Sequence, residues 1–303
     1  MDKNTEPTYE KLRQGLEMLA KENQIVTYSN LGQSLLGRAI PLITLGDRDA
    51  KKSVLYVATH HATEVLLTGV LLSFIEEYVS AYNAYKQLFS INLRYLYKMR
   101  RIHIIPMLNP DGVEYRQGGV MDDNPLKGRV IAYNGGSEDF SLWSSNARGV
   151  DLNHNYDAGF LEYKQLERER GIMPGRGKYS GEEPESEPET SALCAFIRHN
   201  LDSLEGVLTL HSQGEEIYYS SGLKIPEKSK HIAKIISRMT GYALSTPEDT
   251  ACYGGLTDWL IEKYDLPAFT LECGKGQNPL PPSQAFEIYS RLRELLFTFP
   301  ILF

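Results

Sequence analysis

The chain has 303 residues, with 39 Asp and Glu against 32 Lys and Arg, and a net charge of −7. Its apolar and charged fractions of 42% and 23% are those of a chain able to form a full core, and its length suits one α/β enzyme domain covering 1–303. Mild acidity argues against a phosphate-tracking nucleic-acid binder, which presents a basic face. The three cysteines, Cys194, Cys252 and Cys273, form no C-x-x-C pair, so a disulfide framework is not expected and a reducing compartment is. The start, MDKNTEPTYEKL, shows no apolar signal region, and no apolar run reaches bilayer length. These features predict a cytoplasmic protein with no membrane partner.

Along the chain, Thr8–Glu22 carries Leu12, Leu16 and Leu19 at helical spacing. Ile25–Leu31 and Ala39–Leu45 are β-rich runs joined by GQSLLGR, which predicts a hairpin. Ser53–Thr59 reads as a buried strand that delivers His60 and His61 at its C-terminal end, followed by a helix over Val65–Tyr78. Arg101–Leu108 reads as a second such strand, ending in a turn at Asn109-Pro110-Asp111-Gly112. Glu114–Ala147 is rich in Gly, Asn and Ser and predicts a long surface excursion. Ser186 is a candidate N-cap, with Pro188 in the first turn and Glu189 three residues on, for a helix to about His199. Strand Gly206–Leu210, helix Ser229–Met239, strand Pro267–Leu271 and helix Ser283–Phe297 complete the reading. This alternation predicts an α/β three-layer sandwich: a mixed, mostly parallel central sheet flanked by helices.

His61, His211 and Glu272 each fall at the C-terminal exit of a predicted strand, the edge where ligands bind in open α/β sheets. His61-Ala62-Thr63-Glu64 is an H-x-x-E pair that can face one ion from a strand exit and the first turn of the next helix. His211 is the natural third ligand. Two His and one Glu leave a fourth position open, the arrangement of a catalytic zinc site. His60 reads as a buried structural histidine, and His103, His199 and His231 as structural or exposed. Cys273 reads as packing, and the acidic run Glu182–Glu189 as a solvated loop.

Several segments together resemble the zinc carboxypeptidase family typified by carboxypeptidase A: HATE at 61–64, NPDG at 109–112, NARGVDLNHNY at 146–156, SEPET at 186–190, LHSQGE at 210–215, GGLTDW at 254–259 and FTLECGKG at 269–276. GVDLNHN and TLECGKGQNPLPPSQ are most similar to the branch of γ-D-glutamyl-diamino-acid peptidases that cut bacterial cell-wall stem peptides. The resemblance implies one zinc on His61, Glu64 and His211, with Glu272 as the general base that serves water and leaving amine. It further implies Asp151 behind the first histidine ligand, Arg148 as the oxyanion-stabilising arginine, and Asn153 on the substrate's terminal carboxylate.

The chain departs from the digestive enzymes in three places. His154 stands where their carboxylate-clamping arginine sits, and it cannot reproduce a planar guanidinium fork. Their mobile tyrosine aligns near Thr250, with Tyr253 as a substitute. Thr257 occupies the floor of their side-chain pocket, which suits a polar leaving residue. The expected function is therefore hydrolysis of the γ-D-glutamyl–diaminopimelate amide in stem peptides. A general metallocarboxypeptidase, an N-acyl amino acid deacylase and a non-catalytic wall-peptide sensor stand as alternatives.

Overall fold

The computed structural model describes residues 5–222, 224–248 and 251–303. Thr8 accepts a hydrogen bond from the Lys11 N–H and opens helix α1 (Tyr9–Glu22), which buries Leu12 and Leu16. The expected hairpin forms from β1 (Val26–Gln33) and β2 (Ala39–Leu45). β3 (Lys52–Ala58) leads into α2 (Leu66–Asn83), longer than its apolar run because Tyr78, Val79 and Ala81 are still buried beyond Glu76 and Glu77. Then come the small ribbon β4 (Gln87–Leu88) and β5 (Ile91–Asn92), helix α3 (Leu93–Met99) and β6 (Arg100–Ile105).

The Asn109–Gly112 segment is a helix start rather than a plain turn. Asn109 Oδ1 accepts the Gly112 N–H at 3.0 Å and caps α4 (Pro110–Gly118), with Pro110 in the first turn where its missing N–H costs nothing. Gly112 is required there, since a Cβ would lie 2.3 Å from Ser145 O. The stretch expected to be a surface excursion thus begins inside α4. It also contains α5 (Lys127–Tyr133) and packs its own small core of Tyr115, Val130, Phe140, Trp143 and Ala147.

Helix α6 (Phe160–Arg170) follows, and its mostly polar sequence hid it from the apolar pattern. Helix α7 (Pro188–Asn200) starts at Glu187 rather than at the expected cap Ser186, whose hydroxyl donates instead to Glu187 Oε1 at 2.8 Å. The chain continues through β7 (Leu204–His211), β8 (Glu216–Tyr218), α8 (Ser229–Thr240), β9 (Ala243–Leu244), α9 (Leu256–Tyr264), β10 (Ala268–Glu272) and α10 (Ala285–Thr298).

The main sheet has eight strands in the order β1-β2-β6-β3-β7-β10-β8-β9. Its centre, β6-β3-β7-β10, is parallel, while β1, β2 and β8 pair antiparallel toward the edges. Central parallel strands are covered on both faces, which is why β3 and β7 read as apolar runs. One face packs on α1, α2, α8 and α10 and the other on α7 and α9, giving the expected three layers. On the first face Leu71, Phe74 and Ile75 are fully buried, each contributing roughly 1.5–3 kcal/mol. Among the described residues, no helix is long and apolar enough to cross a membrane.

Candidate active site

The pleat of the sheet assembles the site. Leu208 and Leu210 of β7 face the α2 layer, so Thr209 and His211 face the other way. In β10, Phe269 and Leu271 do the same, which sends Thr270 and Glu272 to the side of His211. His211 and Glu272 are register partners on neighbouring parallel strands. His61 lies three residues past β3, where Thr59 takes a positive φ of 59° and turns the chain out of the sheet. Asn109 Nδ2 holds that exit by donating to the His60, Ser144 and Ser145 carbonyls at 3.0, 3.2 and 3.1 Å.

Three side chains converge. His61 Nδ1 is 3.1 Å from Glu64 Oε1, His211 Nδ1 is 3.1 Å from Glu64 Oε2, and the two ring nitrogens are 3.3 Å apart. The ligand atoms of His61, Glu64 and His211 lie within 4.8 Å of one another, and no other such group occurs among the described residues. Glu64 Oε2 is buried yet has no well-directed hydrogen bond. A proton can serve only one pair of these atoms at a time, whereas a cation accepts both ring lone pairs and the carboxylate together. The donor set therefore fits a divalent metal of zinc's preferences. Glu64 is held ionised, at about 2, because the facing His61 and His211 rings outweigh the burial that opposes its charge.

Asp151 sits behind His61. Its Oδ1 accepts His61 Nε2–H at 2.9 Å and the Asn153 N–H at 3.0 Å, and its Oδ2 accepts the Lys178 N–H at 2.9 Å. Burial opposes its charge, but the neighbouring His61 and His154 rings and these hydrogen bonds keep the carboxyl well below the usual range. The proton on His61 Nε2 leaves Nδ1 as the lone pair turned toward Glu64 and His211. Asn278 escaped the sequence reading. It donates to Glu64 Oε1 at 3.2 Å and to Ser212 O at 2.7 Å, fixing the carboxylate from the far side. A lone Asn in a loop 214 residues from its partner leaves no local signal.

A cavity of about 250 Å³ opens beside these groups, lined by His61, His211, Glu272, Asp151, Asn153, His154, Lys178, Tyr218, Ser220, Pro247, Ala251, Gly255, Thr257, Asp258 and Thr270. Burial, then the charges of Glu64 and Glu216, push Glu272 up to about 8. Asn153 Oδ1 accepts the Leu256 N–H at 3.2 Å, so the amide NH₂ is what Asn153 can offer a ligand. Thr257 Oγ1 bonds Thr270 Oγ1 at 2.8 Å. His154 stacks on Tyr163 with ring centroids 4.1 Å apart and hydrogen-bonds the Tyr253 carbonyl through Nδ1 at 2.9 Å. Gly254, at φ +72°, passes so close to His154 that a Cβ would be 2.6 Å from its carbonyl oxygen.

Two expected residues are not brought to this cavity. Arg148 forks onto Glu187 through Nε and Nη2 at 2.7 and 2.8 Å and donates to Ser186 O at 2.8 Å. Its guanidinium is spent on a buried carboxylate, so it does not face the metal donors as an oxyanion group must. Tyr253 contributes its backbone carbonyl, while its ring packs over Gly159 and stays 44% exposed. Thr250 lies outside the described residues. His60 is buried, with Nε2 2.9 Å from Tyr156 Oη and Nδ1 without a hydrogen-bond partner among the described residues.

This constellation on this sheet defines a metallopeptidase-type site. The family profile described as zinc carboxypeptidase matches residues 12–292, and the chain belongs to that family. The chain is 34% identical over 260 residues to γ-D-glutamyl-L-diamino acid endopeptidase 1 of Lysinibacillus sphaericus, covering 86% of this chain and 63% of that protein. It is 27% identical over 279 residues to carboxypeptidase B of Rattus norvegicus, covering 87% and 62%. The crystal structure of carboxypeptidase A from Helicoverpa armigera shares the fold, with TM-score 0.73, 19% identity and coverage of 98% and 73%. The chain thus spans under two thirds of the length of these two curated relatives.

Proposed function

We propose that this chain, as one catalytic domain over 1–303, hydrolyses the amide joining the γ-carboxyl of D-glutamate to a diamino acid in peptidoglycan stem peptides. His61, Glu64 and His211 would hold one zinc ion. When bound, zinc polarises the scissile carbonyl and makes a water acidic enough to attack at neutral pH. Glu272, beside the donor set, accepts that water's proton and returns it to the leaving amine. Asp151 keeps the proton of His61 on Nε2 and so orients its Nδ1. The NH₂ of Asn153 binds the leaving residue's carboxylate. Arg148 has no part in the chemistry, because Glu187 holds it away.

The observation that carries the reading is the cavity wall. Among the described residues its lining contains no arginine, and it includes His154 and Thr257, which the resemblance puts at the places of the clamping arginine and of the side-chain pocket floor. The relative named as a γ-D-glutamyl-L-diamino acid endopeptidase supports the same substrate class. Similarity to carboxypeptidase B favours a second reading, release of C-terminal residues from ordinary peptides. An intact donor set and Glu272 count against a non-catalytic sensor. The three free cysteines suit a reducing compartment, in which the substrate is soluble stem peptide. The test compares L-Ala-γ-D-Glu-diaminopimelate, its α-linked L-Glu isomer and hippuryl-Phe. We expect the γ-linked peptide to have the highest kcat/KM. Comparable or faster cutting of either competitor replaces this reading with the general carboxypeptidase.

A further inference from the structure

The cavity poses a charge problem that the metal apparatus does not solve. A leaving amino acid brings an α-carboxylate, yet His154 is poorly suited to meet it. Its Nδ1–H is spent on the Tyr253 carbonyl, and the ring is buried and stacked on Tyr163, which favours the neutral form. Nε2 then carries a lone pair and repels a carboxylate.

Among the described residues, Lys178 is the only lysine or arginine that lines the cavity. It makes no ion pair among the described residues. Its backbone is held at a φ of +71°, a conformation unusual for a side chain other than glycine. Two contacts keep it there: the Lys178 N–H donates to Asp151 Oδ2 at 2.9 Å, and Tyr163 Oη donates to the Lys178 carbonyl at 2.7 Å. The residues that hold His61 and stack on His154 therefore also fix the Lys178 backbone at the cavity.

Asp258 lines the same cavity beside Thr257. One oxygen accepts the Gly255 N–H at 3.3 Å and helps start α9, and the Ser221 hydroxyl also hydrogen-bonds the carboxylate, but no cation among the described residues is its charged neighbour; that neighbour is Glu262. Burial, with the charge of Glu262, pushes its carboxyl up to about 7, the behaviour of an acid that lacks its counter-ion.

We infer that Lys178 and Asp258 form a charge pair split across the leaving-residue pocket, Lys178 binding the α-carboxylate and Asp258 the distal amine of an L-diamino acid. This inference rests on the proposed γ-glutamyl peptidase reading and names what selects its leaving group. L-Lysine and meso-diaminopimelate share both features, so the pocket accepts either; it rejects residues that lack one of the two charges.

The experiment uses the zinc-loaded protein and three peptides: L-Ala-γ-D-Glu-L-Lys, the same peptide ending in norleucine, which lacks the amine, and the lysine amide, which lacks the carboxylate. Wild type should prefer the lysine peptide to each analogue by roughly 10–100-fold in kcat/KM, the worth of one charge-assisted hydrogen bond. Lys178→Met should erase the preference over the amide and keep that over norleucine, with Lys178→Arg restoring it in part. Asp258→Asn, which keeps a cap acceptor for Gly255, should do the reverse. Zinc content and melting temperature near wild type show that each variant is folded. If wild type cuts the lysine peptide but each variant keeps both preferences, the charge pair is overturned and the peptidase reading stands. If wild type cuts no γ-linked peptide, the reading falls and the charge pair with it.

Discussion

Two buried clusters of charge lie near each other in this chain, and they are built on opposite plans. In the first, the buried carboxylates of Asp111, Glu187 and Glu189 meet the partly exposed Arg38 and Arg148. Asp111 takes Ser34 Oγ–H, the Leu36 N–H and Arg38 at 2.8, 2.9 and 2.7 Å. Glu187 takes the Arg148 fork and Asn146 Nδ2 at 2.6 Å, and Glu189 takes the Leu35 N–H at 3.1 Å. Donors and acceptors alternate, so the cluster is complete within the chain. In the second, His61, Glu64 and His211 turn acceptors on one point, with Glu64 Oε2 lacking a well-directed hydrogen bond. Buried polar atoms that satisfy one another hold a fold together; buried acceptors that converge wait for something from outside.

The comparison breaks most visibly at His211. Replacing it with Ala should remove both the metal and the activity; zinc retained at one per chain, measured by atomic absorption, would take His211 out of the site. Next comes Glu272→Gln, which keeps the shape but loses the proton acceptor. Turnover should fall by roughly 10²–10⁴-fold with zinc content unchanged, and a near wild-type rate would assign the base elsewhere. Asp151→Asn should weaken zinc affinity or activity by roughly 10–100-fold, read by competition with a chelator, because the proton on His61 Nε2 is no longer fixed.

In the first cluster the readout should switch from rate to stability. Arg148→Met should leave kcat/KM within about twofold while costing about 1–3 kcal/mol in denaturant unfolding, since Glu187 keeps its burial without its fork. A large fall in kcat at full zinc occupancy would return Arg148 to the chemistry. The smallest effect concerns Glu189. Burial, with Asp111 and Glu187 nearby, raises it from 4.5 to about 7. The folded chain thus keeps a proton that the unfolded chain has lost between those values, and stability declines as pH rises through that window. Glu189→Gln should flatten the dependence of Tm on pH between about 5 and 7; an unchanged slope would show that Glu189 does not hold that proton.

The same two clusters separate what was legible in the residues from what was not. His61, Glu64, His211 and Glu272 could be picked out as candidates because His211 and Glu272 end apolar strands and the H-x-x-E pair follows the exit of a third, and strand exits share one sheet edge by topology. Arg148 was expected at the cavity and is instead paired with Glu187, for the complementary reason. It belongs to a segment with the right neighbours in sequence, but its direction depends on Glu187, 39 residues away. Asn278, 214 residues from Glu64, was invisible on the same ground. The excursion over 114–147 was read from composition, which cannot register that Tyr115, Phe140 and Trp143 pack on one another.

By itself, the sequence determined the α/β alternation, the principal strands and helices, and the strand-exit positions of His61, His211 and Glu272, because apolar periodicity and strand ends are local properties. Tertiary structure alone decided which charged groups meet. It sent Arg148 to Glu187, left His154 with its Nδ1 hydrogen-bonded to Tyr253, and brought Lys178 and Asp258 into the lining of one cavity. The reason is physical: a side chain's charge partner is chosen by distance after the chain has folded, and that distance is written nowhere in the order of residues.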